Sequence, residues 1–169
     1  MKRLVLLAVF AFALALPPAG TAHAEDDPSF LTFGVGKFDI IHDRETDAEL
    51  RLDYRFGNKF WIFKPFLTGA YVTNGMSFLG AGVLVDVYLG NRWVITPQFS
   101  PTWWRGKTDN LDLGHGLEFR SRIELAYRFD NRARLGLSID HSSNAGLGDR
   151  NPGTESLMIN YSLPMSVFK

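Results

Sequence analysis

Apolar and charged residues alternate one for one in two stretches of this chain, and that pattern constrains the fold more than any other feature. Between residues 47 and 56, Ala48, Leu50, Leu52, Tyr54 and Phe56 alternate with Glu49, Arg51, Asp53 and Arg55. Between 116 and 129, Leu117, Phe119, Ile123, Leu125, Tyr127 and Phe129 alternate with Glu118, Arg120, Arg122, Glu124 and Arg128. A period of two places the two classes on opposite faces of a strand. Six further segments have strand character, near 30–38, 60–72, 76–89, 92–104, 132–143 and 154–163. The fold expected is all-β, an eight-stranded antiparallel up-and-down barrel. A soluble barrel turns its apolar face inward, whereas a membrane barrel turns it outward and encloses the charges. Many segments reach ten residues, the length a tilted transmembrane strand needs. Tyr54, Phe56, Phe60, Trp61, Trp93, Tyr127 and Phe129 gather near one set of strand ends, with Trp103 near the other. Such aromatic girdles mark the two interfaces of a bilayer, so the membrane barrel is the favoured reading.

The N-terminus agrees. Met1-Lys2-Arg3 precedes an apolar run from Leu4 to about Leu16, then Thr21-Ala22-His23-Ala24. This is the pattern of a secretory signal peptide cleaved after Ala24, and the run is too short to span a bilayer as a helix. Residues 1–24 are therefore expected to be a leader and 25–169 the barrel. Of 18 basic residues the leader takes Lys2 and Arg3, leaving 16 against 18 acidic ones, a net charge of −2. Nothing there suits nucleic acid. The chain has no cysteine, so ring closure rather than disulfides must stabilise an exported domain. Phe56–Lys59, Leu89–Arg92 and Phe129–Arg132 read as tight turns, with Gly-Asn or Asp-Asn tolerating left-handed backbone. Asp39–Thr46, Arg105–His115 and Asn144–Gly153 are longer loops, and Thr73-Asn74-Gly75 is a short exception among them. Short turns on one side and long loops on the other is the bacterial outer-membrane arrangement, with both termini on the periplasmic side. Pro65, Pro97 and Pro101 remove ladder donors, and bulges there are expected to shape a lipid groove. The inward Glu and Arg residues are expected to pair in a barrel too narrow for a channel.

Chemistry concentrates between residues 141 and 155. On the seventh segment Leu135, Leu137, Ile139, His141 and Ser143 share a face; on the eighth, Glu155 shares one with Leu157, Ile159 and Tyr161. His141 and Ser143, two apart on a strand, have Cα atoms about 6.6 Å apart on one face. If the hairpin pairs 141 with 155, then Ile139 meets Leu157 and Leu137 meets Ile159. Serine hydrolysis needs a nucleophile, a base within reach and an acid that orients the base. Ser143, His141 and Glu155 supply these. Asn144, Asn151 or the backbone around Gly146 would stabilise the oxyanion. Three polar groups on an otherwise apolar, lipid-facing surface are costly and therefore point to function. Ser142 and Asp140 point inward by parity. His42 and His115 lie in loops with no ligand cluster around them, so neither a metal nor a cofactor is expected.

His141-Ser142-Ser143-Asn144-Ala145-Gly146, followed by Asn151-Pro152-Gly153 and Glu155, resembles the signature of the PagL-type lipid A 3-O-deacylases. The resemblance implies an outer-membrane barrel that hydrolyses the 3-position acyl ester of lipid A and needs no metal. It implies Ser143 as nucleophile, His141 as base and Glu155 as orienting acid, with Asn144, Gly146 and Asn151 on positions associated with the oxyanion. Lipid A or lipopolysaccharide would be the substrate, met by lateral diffusion in the outer leaflet, with outer-membrane lipids around the barrel and a homodimer left open. Rival readings are a phospholipase on the same scaffold, a non-catalytic structural or adhesin-like barrel, and a soluble periplasmic barrel with a ligand in its mouth. The chain ends Phe168-Lys169 after Pro164, rather than on a terminal aromatic, which leaves the end of the last strand open.

Overall fold

A computed structural model describes residues 27–45 and 47–168. The expected leader, residues 1–24, lies outside them. The strands are β1 (Phe30–Phe38), β2 (Ala48–Arg55), β3 (Lys64–Val72), β4 (Ser77–Leu84), β5 (Val87–Leu89), β6 (Trp93–Arg105), β7 (Leu117–Arg128), β8 (Arg134–Ser143) and β9 (Thr154–Pro164). Consecutive strands pair antiparallel except β4 and β5, β1 pairs with β9, and β4 pairs with β6. β4 and β5 both lie along β6 and act as one stave, so the ring is the expected closed barrel of eight.

The stave breaks at Val85-Asp86, opposite Pro97. The Val85 N–H donates to the Pro97 carbonyl at 3.1 Å, but proline has no N–H to return. The ladder runs through Pro65, which pairs with Val83, and through Pro101 on its β7 side, where it pairs with Phe119, but on the β4 side the pairing skips Ala81 and Gly82 opposite Pro101 and Ser100. The groove expected at all three prolines therefore reduces to these two interruptions along β6 and a small apolar recess of about 230 Å³ beside Phe60, Phe63, Pro65 and Val83. A second difference lies at the β2–β3 connection. β3 starts at Lys64, not near residue 60, because Phe60 and Phe63 exchange backbone hydrogen bonds at 2.8 and 3.0 Å. The turn is thus wider than the expected Phe56–Lys59, and it holds Phe60 and Trp61 about four-fifths exposed.

The faces follow the alternation. Leu50, Leu52, Ile123, Leu125, Leu157 and Ile159 are about half exposed, while Glu49, Arg51, Asp53, Arg120, Arg122 and Glu124 are buried. A closed barrel with an apolar outside and a charged inside is built for lipid. Rings of Tyr54 and Phe56, and of Trp93, Tyr127 and Phe129, pack edge to face at 4.9–5.5 Å near the short-turn rim. The first and last strands meet there, Phe30 beside Pro164. β9 ends at that proline and one 3-10 turn, Met165–Phe168, follows. The Met165 N–H donates to the Ser29 carbonyl.

The interior is filled. Asp140 accepts from Arg51 at 2.6 Å and Arg122 at 3.1 Å, with Arg120 at 3.5 Å. Glu49 holds Arg51 and Arg120, and Asp53 holds Arg122. At the short-turn end Asp27 and Asp86 share Lys64 and Arg134. At the other end, the 106–116 loop folds Leu111 and Leu113 into the mouth against Phe38, Val72, Met76, Phe78 and Trp104. Removing one member of a buried charge network leaves its partners uncompensated, at roughly 3–5 kcal/mol. Asp140→Ala is therefore expected to lower stability by about that amount, read as a lower urea midpoint for the barrel in detergent micelles.

Candidate active site

The β8–β9 ladder pairs His141 with Glu155, Ile139 with Leu157 and Leu137 with Ile159, the register expected from the sequence. Cross-strand pairing brings opposed side chains within reach, and His141 Nδ1 donates to Glu155 Oε1 at 3.0 Å. The imidazole is half exposed on the outward face, while the Glu155 side chain is recessed, 13% exposed. With Nδ1 committed to the carboxylate, Nε2 is the ring nitrogen free to exchange a proton.

Ser143 is the last residue of β8 and lies on the same face as His141. Continuing the register places it opposite Gly153, since Ser142 pairs with Thr154. Gly153 has φ +63°, and a Cβ there would come 3.2 Å from His141 Cε1. The ring thus leans along the hairpin towards the Ser143–Gly153 end. This makes Gly153 a sensitive position. Gly153→Ala adds a side chain at left-handed backbone and presses on the ring. A displacement of this kind is expected to lower kcat by roughly tenfold to a hundredfold, measurable by initial rates on a detergent-dispersed ester.

The oxyanion candidates separate. Asn144 is buried, and its Nδ2 donates to the Leu113 and Arg150 carbonyls at 2.9 and 2.7 Å. Its side chain ties the outer loops together and does not reach the lipid face, because 144 has the parity of the interior. The Gly146 N–H donates to Asn144 Oδ1, so it too serves the loop rather than an oxyanion. Asn151 is exposed and accepts the Asn144 N–H at 3.0 Å through Oδ1. That bond uses only the Asn151 oxygen, and the residue lines an open recess of about 380 Å³ with Arg44, Asp112, Arg150 and Pro152. Ser142 and Asp140 are interior, as expected by parity.

Two neighbours were not anticipated. Ser121 on β7 is exposed and sits directly across from His141. His42 was expected to stand apart from any cluster, yet its Nδ1 is 3.4 Å from Glu155 Oε2. Ligand atoms of Asp39, His42 and Glu155 lie within 4.8 Å of one another. The reason is closure of the ring: β1 ends beside β9, with Phe38 opposite Ser156, so the β1–β2 loop starts against Glu155. Its anchor is Asp39, whose carboxylate takes Arg44 Nε and Nη2 at 3.0 and 2.6 Å. Burial works against that charge, but the Arg44 bonds hold the Asp39 carboxyl below its ordinary value of 3.8. Arg44 also donates to the Gly153 carbonyl at 2.6 Å, linking loop and hairpin.

Residues 37–164 match the profile of the family described as lipid A 3-O-deacylase (PagL). The lipid A deacylase PagL of Pseudomonas aeruginosa is 31% identical over 88 residues, covering 52% of this chain and 42% of that protein. The alignment thus spans less than half of that relative. The crystal structure of the outer membrane enzyme PagL superimposes with a TM-score of 0.64 at 21% identity, covering 80% of this chain and 99% of that one. A de novo designed transmembrane β-barrel gives 0.56 at 11% identity over 82% and 98%. The two structural matches agree on the barrel.

Proposed function

Since the chain belongs to the lipid A 3-O-deacylase (PagL) family, we propose that it is an outer-membrane esterase that removes the 3-linked acyl chain of lipid A by a Ser143–His141–Glu155 triad. The leader, residues 1–24, would be removed on export. The observation that carries the triad is the 3.0 Å bond between His141 Nδ1 and Glu155 Oε1 on a face otherwise lined by Ile139, Leu157 and other apolar side chains. Polar groups are costly in hydrocarbon, and a single imidazole–carboxylate pair there serves a substrate that is itself embedded in lipid.

Ser143 Oγ attacks the ester carbonyl carbon as His141 Nε2 takes its proton. Glu155 keeps Nδ1 protonated and stabilises the imidazolium. Asn151 Nδ2 supports the oxyanion. Collapse expels the sugar hydroxyl, which takes the proton back from His141 and leaves the acyl chain on Ser143. Water, deprotonated by the same imidazole, then releases the fatty acid. The apolar stripe below the site, Ile139 and Leu137 on β8 with Leu157 and Ile159 on β9, lies where the scissile acyl chain runs into the bilayer.

Mass spectrometry of lipid A from cells expressing the chain tests this. Loss of one hydroxyacyl mass, with release of the matching fatty acid and intact phospholipids, is expected. An unchanged lipid A profile with a folded outer-membrane protein would reject it. Release of phospholipid acyl chains instead would transfer the triad to a phospholipase.

A further inference from the structure

Glu155 has two oxygens, and the triad uses one. Oε1 accepts from His141, whereas Oε2 is buried and has no hydrogen bond among the described residues. A buried acceptor without a donor is costly. His42 Nδ1 lies 3.4 Å from this oxygen, one small ring rotation from a hydrogen bond. The loop that carries it is firmly placed. Ile40 N–H donates to the Glu155 carbonyl at 3.0 Å, and Asp43 N–H to the Asp39 carbonyl at 2.9 Å. Asp39 and Asp43 both adopt left-handed backbone, φ +53° and +52°. The Asp39 carboxylate accepts from the Arg44 guanidinium and amide and from the Thr154 hydroxyl.

We propose that His42 is a positioning residue for the deacylation: its Nδ1–H donates to Glu155 Oε2 and fixes the carboxylate so that Oε1 stays on His141 Nδ1. The inference rests on the triad assigned above. A carboxylate held through one oxygen rotates and tilts freely, and the imidazole it orients moves with it. A donor on each oxygen removes that freedom. The charged groups around His42 are Asp39, Arg44, Glu155 and the Lys37–Asp43 ion pair. They also argue against reading Asp39, His42 and Glu155 as ligands of a cation. The Arg44 guanidinium already occupies both Asp39 oxygens, and its charge repels a metal at that position.

The test uses the full chain in detergent micelles with lipid A, comparing wild type, Ser143→Ala, His42→Ala, His42→Phe and His42→Asn. Heat-modifiable migration on gels checks folding. His42→Ala and His42→Phe are expected to lose roughly tenfold in kcat, the scale of one hydrogen bond to a charged group, with KM within about twofold. His42→Asn, whose Nδ2 replaces the Nδ1 donor, is expected to recover most of the loss. If His42→Ala does not fold, the Phe and Asn pair carries the same comparison. Equal kcat in wild type and folded His42→Ala would overturn the inference, as would equal impairment in His42→Phe and His42→Asn, or a loss confined to KM. Wild-type activity abolished by a chelator and restored by zinc would replace it with a cation site. An inactive wild type, or a Ser143→Ala variant matching wild type, would overturn the triad and the inference together. An active wild type with an inert Ser143→Ala and an unaffected His42→Ala would overturn the histidine's role alone.

Discussion

Ser143→Ala is expected to reduce kcat on lipid A by about 10⁴-fold to 10⁶-fold, the range seen when a hydrolase loses its nucleophile, with the barrel still folded. The residual rate should be that of water attacking without a covalent intermediate. The structure offers one competitor, Ser121, exposed on β7 directly across from His141. The imidazole leans the other way, its Cε1 3.2 Å from the position a Gly153 Cβ would take, and Ser143 lies at that end of the hairpin. The matched variant Ser121→Ala is therefore expected to keep kcat within about threefold, since it removes no transition-state contact. Initial rates of fatty-acid release decide between the two. An inactive Ser121→Ala beside an active Ser143→Ala would exchange their roles.

Glu155→Gln should lower kcat by about 10³-fold to 10⁴-fold, as when the orienting carboxylate of a hydrolytic triad becomes an amide. The amide preserves shape but carries no charge to stabilise the imidazolium. If its NH₂ faces Nδ1, it also selects the tautomer in which Nε2 carries the proton and cannot act as base. Glu155→Asp tests distance rather than charge. One methylene less opens the 3.0 Å bond to His141, and an intermediate loss is expected. Binding should change little in either variant, because Glu155 is recessed beneath His141 and contacts that imidazole rather than the outer surface. A Glu155→Gln enzyme within tenfold of wild type would remove Glu155 from the mechanism.

Some of this was legible in the primary structure and some was not, for identifiable reasons. The two alternating stretches gave the correct faces of β2 and β7, because period two is a local property of an extended chain. The His141–Glu155 pairing was equally accessible: a one-residue slip would have set Ile139 against Ser156, or Leu137 against Asn160, and turned one stripe to the wrong side. The start of β3 was not, since Phe60 and Trp61 suit a strand and an exposed aromatic turn alike. The break at Val85-Asp86 depends on Pro97 in the neighbouring strand, a cross-strand effect that neither segment shows alone. Asn144 sits on a motif position associated with the oxyanion, yet its amide holds the Leu113 and Arg150 carbonyls. Its parity with Ser142 and Asp140 already pointed inward.

Alternation along each strand, taken with strand length, the aromatic girdles and the N-terminal segment, pointed without any coordinates to a barrel with a charged interior and put Ser143, His141 and Glu155 on its apolar face. Those are consequences of backbone geometry within a strand and between adjacent strands. Only closure of the ring decided what surrounds that face. It brought β1 against β9, and with it His42 and Asp39 to Glu155. Packing of the 106–116 loop likewise put Leu111 and Leu113 into the mouth. Such contacts join residues far apart in the chain and hang on loop conformations held by Asp39–Arg44 and Asn144. No local periodicity encodes them, because they arise from which strand ends the closed barrel makes neighbours.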